Sequence, residues 1–347
     1  MNKIILRVMS GALIVAGCSF STLGSATEDY LVPRTEWGQP DLQGVWNFSS
    51  NIPMERAVHF GEREFLTEEE IDAALVPAAE AETNADDESL PAGEVGKTYD
   101  DFWNEQASLS DSVRTSHIVY PKNGRVPELR DGVAVQFGTR GSDKTAERPA
   151  RHLARGIGID GPEDRGLSER CLLGFNAGPP FTPSVYNNNI QIFQNRDTVV
   201  LMTEMIHEAR IVPLYDSVQG LKSMHDNIRL YSGDSRGFWE GDTLVVITKN
   251  FNSLTASFGG LAANLGLPGN SYDKILTEKF TRVGPSTIDY EFSVEDLTTY
   301  TDKFVGIIPI EKVDGLIYEY ACHEGNYAMT NMLRGARARE KREVSEQ

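Results

Sequence analysis

The chain has 347 residues, with 33 Lys and Arg against 51 Asp and Glu and a formal net charge of −18. That length suits one large domain or two modest ones, and the acidic balance argues against nucleic acid and anionic lipid surfaces as partners. The acidity is local: Glu62 to Glu105 holds fifteen acidic residues and two basic ones, Arg63 and Lys97, for a net −13 (2 − 15). A block of this kind reads as a solvated helix and loop.

Residues 1–17 read as a secretory signal peptide. Met1-Asn2-Lys3 with Arg7 is a short basic start, and the apolar run from Ile4 ends in Val15-Ala16-Gly17 before Cys18. The run is too short for a comfortable membrane span, which needs about 20 residues. Small residues followed by Cys resemble the bacterial lipobox. That resemblance makes Cys18 the lipidated first residue of the mature protein, and Ser19 in place of Asp implies outer-membrane sorting; the plainer alternative is an ordinary cleaved signal that contains a cysteine. Residues 18–35 then form a lipid-anchored tether. The expected location is the cell envelope, facing the periplasm from the outer membrane or exported, with the membrane touched only through the lipid.

Residues 36–185 read as an N-terminal strand, an acidic helix and long covering loops. Gly44-Val45-Trp46 opens a strand and resembles the start of lipocalin-like barrels, in which the Trp plugs one end; a core Trp is the alternative. Thr67-Glu68-Glu69-Glu70 starts a helix, with Thr67 as cap, Glu70 closing a capping box and Leu66 with Ile71 as a staple, until Pro77. A helical turn is expected over 100–106, strands over 114–120 and 125–129, and short helices near 146–155. Residues 130–185 otherwise read as a covering loop.

From residue 186 the pattern is regular. Strands are predicted over 189–194, 198–205, 209–213, 227–232, 236–240, 243–250, 274–283, 287–295, 303–312 and 316–322. Gly and Asp turns separate several of them, most clearly Glu240-Gly241-Asp242. Many strands with few helices between them predict a mainly β fold, an antiparallel up-and-down meander that closes into a lipocalin-like barrel over 186–333 to protect its edges. The N-terminal helical and loop region packs on it. Residues 251–273 interrupt the pattern as a lid-like insertion, and 334–347 is a charged tail.

Several stretches together resemble a large group of uncharacterised secreted, lipoprotein-type bacterial proteins: PDLQGVW (40–46), EFLTEEE (64–70), RTSHIVYPKNGRVP (114–127), PEDRGLSERCL (162–172), EMIHEARIVPL (204–214), GDSRGFWEGDTLVV (233–246), FTRVGPSTIDYEFSVEDLTTYT (280–301) and YEYACHEGNY (318–327). The resemblance covers most of the mature chain. It implies no particular reaction.

Chemistry is sought among the histidines and the loop charges. His207-Glu208 and His323-Glu324 each stand where a strand is predicted to stop, so a His from one rim loop and a carboxylate from another can act as base and orienter. Counting ten strands places both pairs on one rim. Arg170 lies in a charged loop beside Cys171 and serves as an anion clamp or an internal latch. Asn187 and Asn188, Arg210, Asp234 with Arg236, and Tyr327 complete a candidate set for a small-molecule or saccharide ligand. Once Cys18 is lipidated, Cys171 and Cys322 remain and either pair in an oxidising compartment, stay as thiols or serve chemistry. No metal site is expected, since His-x-His, HExxH and CxxC are missing. No cofactor is expected either, since no phosphate-binding Gly motif or Gly-x-Ser-x-Gly elbow occurs. The expected function is ligand binding at the mouth of the barrel, with a periplasmic lyase, isomerase or hydrolase built on His207 and His323 as the alternative.

Overall fold

The computed structural model describes residues 30–73, 113–133, 135–136, 161–164, 167–222, 227–252, 255, 257–258, 267–268 and 273–346. The chain divides into Met1–Leu31 and Val32–Gln347, and the fold described is that of the second unit. The signal peptide, Cys18, Pro77, residues 100–106 and residues 146–155 lie outside the described residues.

The strands are β1 (Gly44–Asn47), β2 (Ile118–Tyr120), β3 (Val135–Gln136), β4 (Asn189–Gln194), β5 (Thr198–Thr203) and β6 (Ala209–Tyr215). They continue as β7 (Asp234–Glu240), β8 (Thr243–Lys249), β9 (Leu267–Pro268), β10 (Ile275–Arg282), β11 (Thr287–Glu295) and β12 (Phe304–Val313). Nine of them close a barrel in the order β1-β4-β5-β6-β7-β8-β10-β11-β12 and back to β1, with β2 paired outside on β12. The lipocalin-like barrel expected from the sequence is therefore present. Its inner face follows the two-residue period of a strand. On β11 and β12 the buried positions alternate strictly, through Ile288, Tyr290, Phe292 and Val294, and through Phe304, Ile308 and Ile310. Gly306 falls in the same inward row because a Cβ there would stand 2.3 Å from the Phe292 ring.

Three parts of the sequence reading are corrected. The barrel is mixed, since β6 and β7 run parallel. β6 ends at Tyr215, and parallel neighbours need a crossover, so the connection must return before β7 begins at Asp234. Within that return, the predicted strand 227–232 is reduced to one bridge, Leu230 with Phe251. Second, residues 316–322 form no strand. β12 has given one edge to β11 and has divided the other between β2 and β1, so nothing remains to pair with. Leu316 and Tyr318 are left 80% and 83% exposed. Third, 125–129 contributes only the Leu129–Tyr300 bridge, and 114–120 shortens to β2 with a bridge from Arg114 to Phe65.

One end of the barrel is sealed. Trp46 is wholly buried, and its indole N–H donates to the Leu42 carbonyl at 2.9 Å. The Arg282 guanidinium lies 5.6 Å from the Trp46 ring and donates to the carbonyls of Asp41, Gly284 and Pro285 at 2.9, 3.3 and 2.7 Å. Nearby, Gly241 turns β7 into β8 at φ +60 with nothing against it. The acidic helix starts as expected: the Thr67 N–H donates to the Glu70 carboxylate at 2.9 Å, and the Glu70 N–H to the Thr67 hydroxyl at 3.3 Å. Arg63 grips the same carboxylate at 2.5 and 2.7 Å and, with the Thr67 backbone, draws its pKa down to about 2.

His117 ties the outer segment to the barrel. Its Nδ1 lies 2.8 Å from the Ile307 carbonyl and its Nε2 2.8 Å from the Ser50 hydroxyl. Burial pushes its pKa down from 6.5 to about 4, so it folds neutral with the proton on Nδ1. Between about pH 4 and 6.5 the unfolded chain therefore binds a proton that the folded chain does not. Stability is fully present above that window and falls by about 3 kcal/mol as pH drops through it. Urea unfolding of the wild type and of His117→Gln from pH 4 to 7.5 should show this loss in the difference between the two curves; parallel curves would exclude it.

Candidate functional site

The inner face of β10 carries the polar chemistry of the lumen. Lys274, just before the strand, shares its inward phase with Leu276, Glu278, Phe280 and Arg282, all of them buried. A strand that faces a core with alternating charged and apolar residues needs partners for each charge. Glu278 finds Arg210 on β6, which donates to its two carboxylate oxygens at 2.6 and 2.9 Å. This is the bidentate geometry suited to guanidinium and carboxylate. The Tyr290 hydroxyl donates to the same carboxylate at 2.7 Å. Burial opposes the charge on Arg210, but Glu278 outweighs it and leaves the guanidinium pKa raised; burial and the Glu278 charge push the Tyr290 phenol well up, so it stays a donor.

The segment between Gly174 and Asn188 closes the lumen above this triad. The peptide bonds Gly178-Pro179 and Pro179-Pro180 are cis, and the following Phe181 inserts among the aromatic side chains. Its ring lies 5.5 Å from Phe48 and 5.3 Å from Tyr290, with the Arg210 guanidinium 5.0 Å from its centre. Its backbone N–H donates to the Tyr290 hydroxyl at 3.2 Å. The asparagines brace this cover from within: the Asn188 side chain binds Ser184 at 2.8 Å through both its oxygen and its nitrogen, and Asn176 donates to the Asn187 carbonyl at 2.9 Å.

Beside the triad, toward the mouth, lies a second polar nest. The Lys274 ammonium donates to the Ser257 carbonyl at 2.6 Å and sits 4.4 Å from the centre of the Phe251 ring. The Ser257 hydroxyl donates to Asp296 at 2.5 Å, and Asp296 also accepts from the Thr298 hydroxyl at 3.0 Å and the Thr299 N–H at 3.3 Å. Tyr300 makes a hydrogen bond with Ser257, while burial and the Asp296 charge push its phenol up. Burial pushes the Lys274 pKa down to about 8, against the opposing pull of Asp296 and Glu278.

Backbone strain collects at this end. Cys171, Asn187, Ile206, His207 and Asn250 all have positive φ, between 43° and 57° for four of them and 61° for Ile206. A β-branched residue there is unusual, and such strain clusters at functional sites.

The residues expected to do chemistry are placed unevenly. Arg210 reaches the lumen. Asp234 and Arg236 lie on the outer face of β7, where they pair with each other at 2.5 Å and Arg236 donates to the Lys222 carbonyl at 2.7 Å. Asn187 and Asn188 brace the cover. Arg170 is half-buried and forms no ion pair among the described residues, and Tyr327 is 74% exposed at the start of the C-terminal helix Tyr327–Ser345. His207 and His323 are both exposed, and neither ring has a hydrogen-bond partner among the described residues. The Glu208 carboxylate is held by the Ser232 hydroxyl at 2.5 Å, and Glu324 is exposed. The strand count that set both histidines on one rim fails with the strands at 227–232 and 316–322. A different link serves instead: the disulfide ties Cys322 to Cys171, and Gly174 lies against Met205 beside the His207 turn.

Lys274, Glu278, Tyr290, Ser257 and Asp296 were missed by sequence reasoning. The signal for the first two was available in the phase of Lys274, Leu276, Glu278 and Phe280. Among the described residues no three His, Cys, Asp or Glu side chains gather as a metal set, and no helix is long and apolar enough to cross a membrane. Comparison with family models, curated proteins and solved structures finds no match.

Proposed function

We propose that the protein is a cell-envelope lipoprotein that binds a small or mid-sized ligand at the mouth of its barrel. The observation that carries the reading is the buried triad Arg210, Glu278 and Tyr290 beneath Phe181. Buried ion pairs rarely improve on apolar packing in stability, so a charged lumen is better accounted for by a ligand with polar groups. The aromatic surround of Phe48, Phe181 and Tyr290 supplies an apolar wall, the usual composition of a ligand pocket. The enzymatic alternative loses support because the rings of His207 and His323 are solvent-facing and have no hydrogen-bond partner among the described residues.

The test starts from protein extracted out of the membrane fraction, where lipidation of Cys18 would hold it. Native mass spectrometry should find a co-purifying small molecule on the wild type that is lost from Arg210→Met at unchanged secondary structure. Cys18→Ala should move the protein to the soluble fraction. Wild-type protein that is consistently empty would reject the binding reading, and membrane retention of Cys18→Ala would reject the anchor.

A further inference from the structure

We propose that Arg56 is an anion-binding residue, whose buried guanidinium takes two oxygens of a small oxyanion group, a phosphate or a carboxylate. The site lies in the outer segment beside β2 and does not depend on the reading of the lumen. There the chain before Arg56 runs along the one that leads into and out of β2. The His117 N–H donates to the Pro53 carbonyl at 2.9 Å, the Ile118 N–H to Met54 at 3.0 Å and the Arg56 N–H to Gly124 at 2.8 Å.

The bonding of Arg56 sets it apart from the other buried arginines. Arg210 has the Glu278 carboxylate, and Arg282 has all three of its nitrogens on carbonyls. Arg56 is 1% exposed, and only its Nη1 is engaged, by the Lys122 carbonyl at 2.7 Å. Its Nε and Nη2 are buried and have no hydrogen-bond partner among the described residues. The neighbouring carboxylate, Glu55, turns away to the Val126 N–H at 2.8 Å and to Arg125 at 3.7 Å. A guanidinium cannot shed its proton, so burial here is not relieved by neutralisation. A buried charge needs a counter-charge as well as acceptors, and water supplies only the acceptors.

The two orphaned nitrogens are the pair that an oxyanion fits. Nε–H and the adjacent Nη2–H point in parallel along one edge of the guanidinium, the fork that meets two oxygens of a carboxylate or phosphate. Gly124 keeps a side chain off that edge: a Cβ there would stand 2.7 Å from Nε and 2.7 Å from the Ser116 hydroxyl. The turn that carries Gly124 adds Lys122 and Arg125, so three cations meet with Glu55 as the one carboxylate bonded among them. Lys122 and Asn123 are exposed, which leaves one surface turn over the site. That turn is closed by the Gly124 N–H on the Pro121 carbonyl at 2.8 Å, and its local opening admits an ion at lower cost than global unfolding.

The experiment is equilibrium dialysis of the full chain in chloride buffer against radiolabelled inorganic phosphate and, in a parallel arm, radiolabelled acetate. Saturable uptake at one site per chain is expected in at least one arm. Uptake of phosphate alone assigns the site to tetrahedral oxyanions, and uptake of acetate alone assigns it to carboxylate ligands. Arg56→Lys keeps the charge but loses the fork, and should weaken the uptake by about tenfold or more. Hydrogen exchange followed by mass spectrometry on the wild type locates the site without any variant. The bound anion should slow exchange within residues 53–57 and 121–126 and leave the barrel strands unchanged. No saturable uptake of either anion would overturn the proposal. So would protection confined to other parts of the chain, or a folded Arg56→Lys that binds as tightly as the wild type.

Discussion

Glu278→Ala should cost about 3–5 kcal/mol of stability, because it leaves the Arg210 guanidinium buried without its carboxylate. Both side chains are almost wholly buried, at 4% and 0% exposure, so water cannot take over the lost contacts. The Tyr290 hydroxyl loses its acceptor in the same step, which adds to the loss. Removing both charges should behave differently. The double variant Arg210→Met with Glu278→Leu exchanges an ion pair for apolar packing of similar volume, a change that is often neutral or stabilising by about 1–4 kcal/mol. Urea unfolding of the wild type, the single variant and the double variant would test this. A single variant as stable as the wild type would mean that the pair is not an isolated buried one. A double variant that unfolds as readily as the single one would mean that the triad holds the barrel together, and the case for a ligand role would weaken.

How much of this was legible in the sequence depends on phase and closure. Strands β4, β5, β8, β10, β11 and β12 were read within about two residues because each alternates and each ends in a turn residue such as Asn195, Gly241 or Gly284. The Gly44-Val45-Trp46 opening was equally informative, since Trp46 does seal one end. The errors share a physical origin. Residues 227–232 and 316–322 have strand-like composition, but β-pairing needs a free edge, and a closed barrel has spent its edges. No local pattern reports that. The site was harder for a related reason. Adjacent His and Glu at strand ends drew the reading to the rim, whereas the buried hydrogen-bonded charges lie within the lumen on β6, β10 and β11. The inward phase of Leu276 and Phe280 would have placed Lys274 and Glu278 inside. Their partners, Arg210, Ser257 and Asp296, could be joined to them only by the folded chain.

A second large effect is expected at the disulfide. Cys171 and Cys322 are joined with their Cα atoms 5.8 Å apart at a sequence separation of 151. Cross-linking a loop of that length restricts the unfolded chain by up to about 5 kcal/mol in chain-entropy terms, less any strain in the native bridge. Cys322→Ser should therefore lower unfolding stability by about 2–5 kcal/mol. The loss should also have a local signature. β12 ends at Val313, and the segment up to Asn326 contributes no strand; Asn326 is held by donating to the Glu169 carbonyl at 2.8 Å, and the disulfide is the covalent tie next to it. Without the bridge, protease should cut first within residues 314–323 while the barrel remains whole, because local opening there no longer meets a covalent stop. Non-reducing peptide mass mapping should recover the Cys171 and Cys322 peptides as one linked species. Two titratable thiols in the unreduced, denatured protein would remove the premise. Early proteolysis spread evenly over the barrel would mean that the bridge stabilises the whole sheet and not the C-terminal segment in particular.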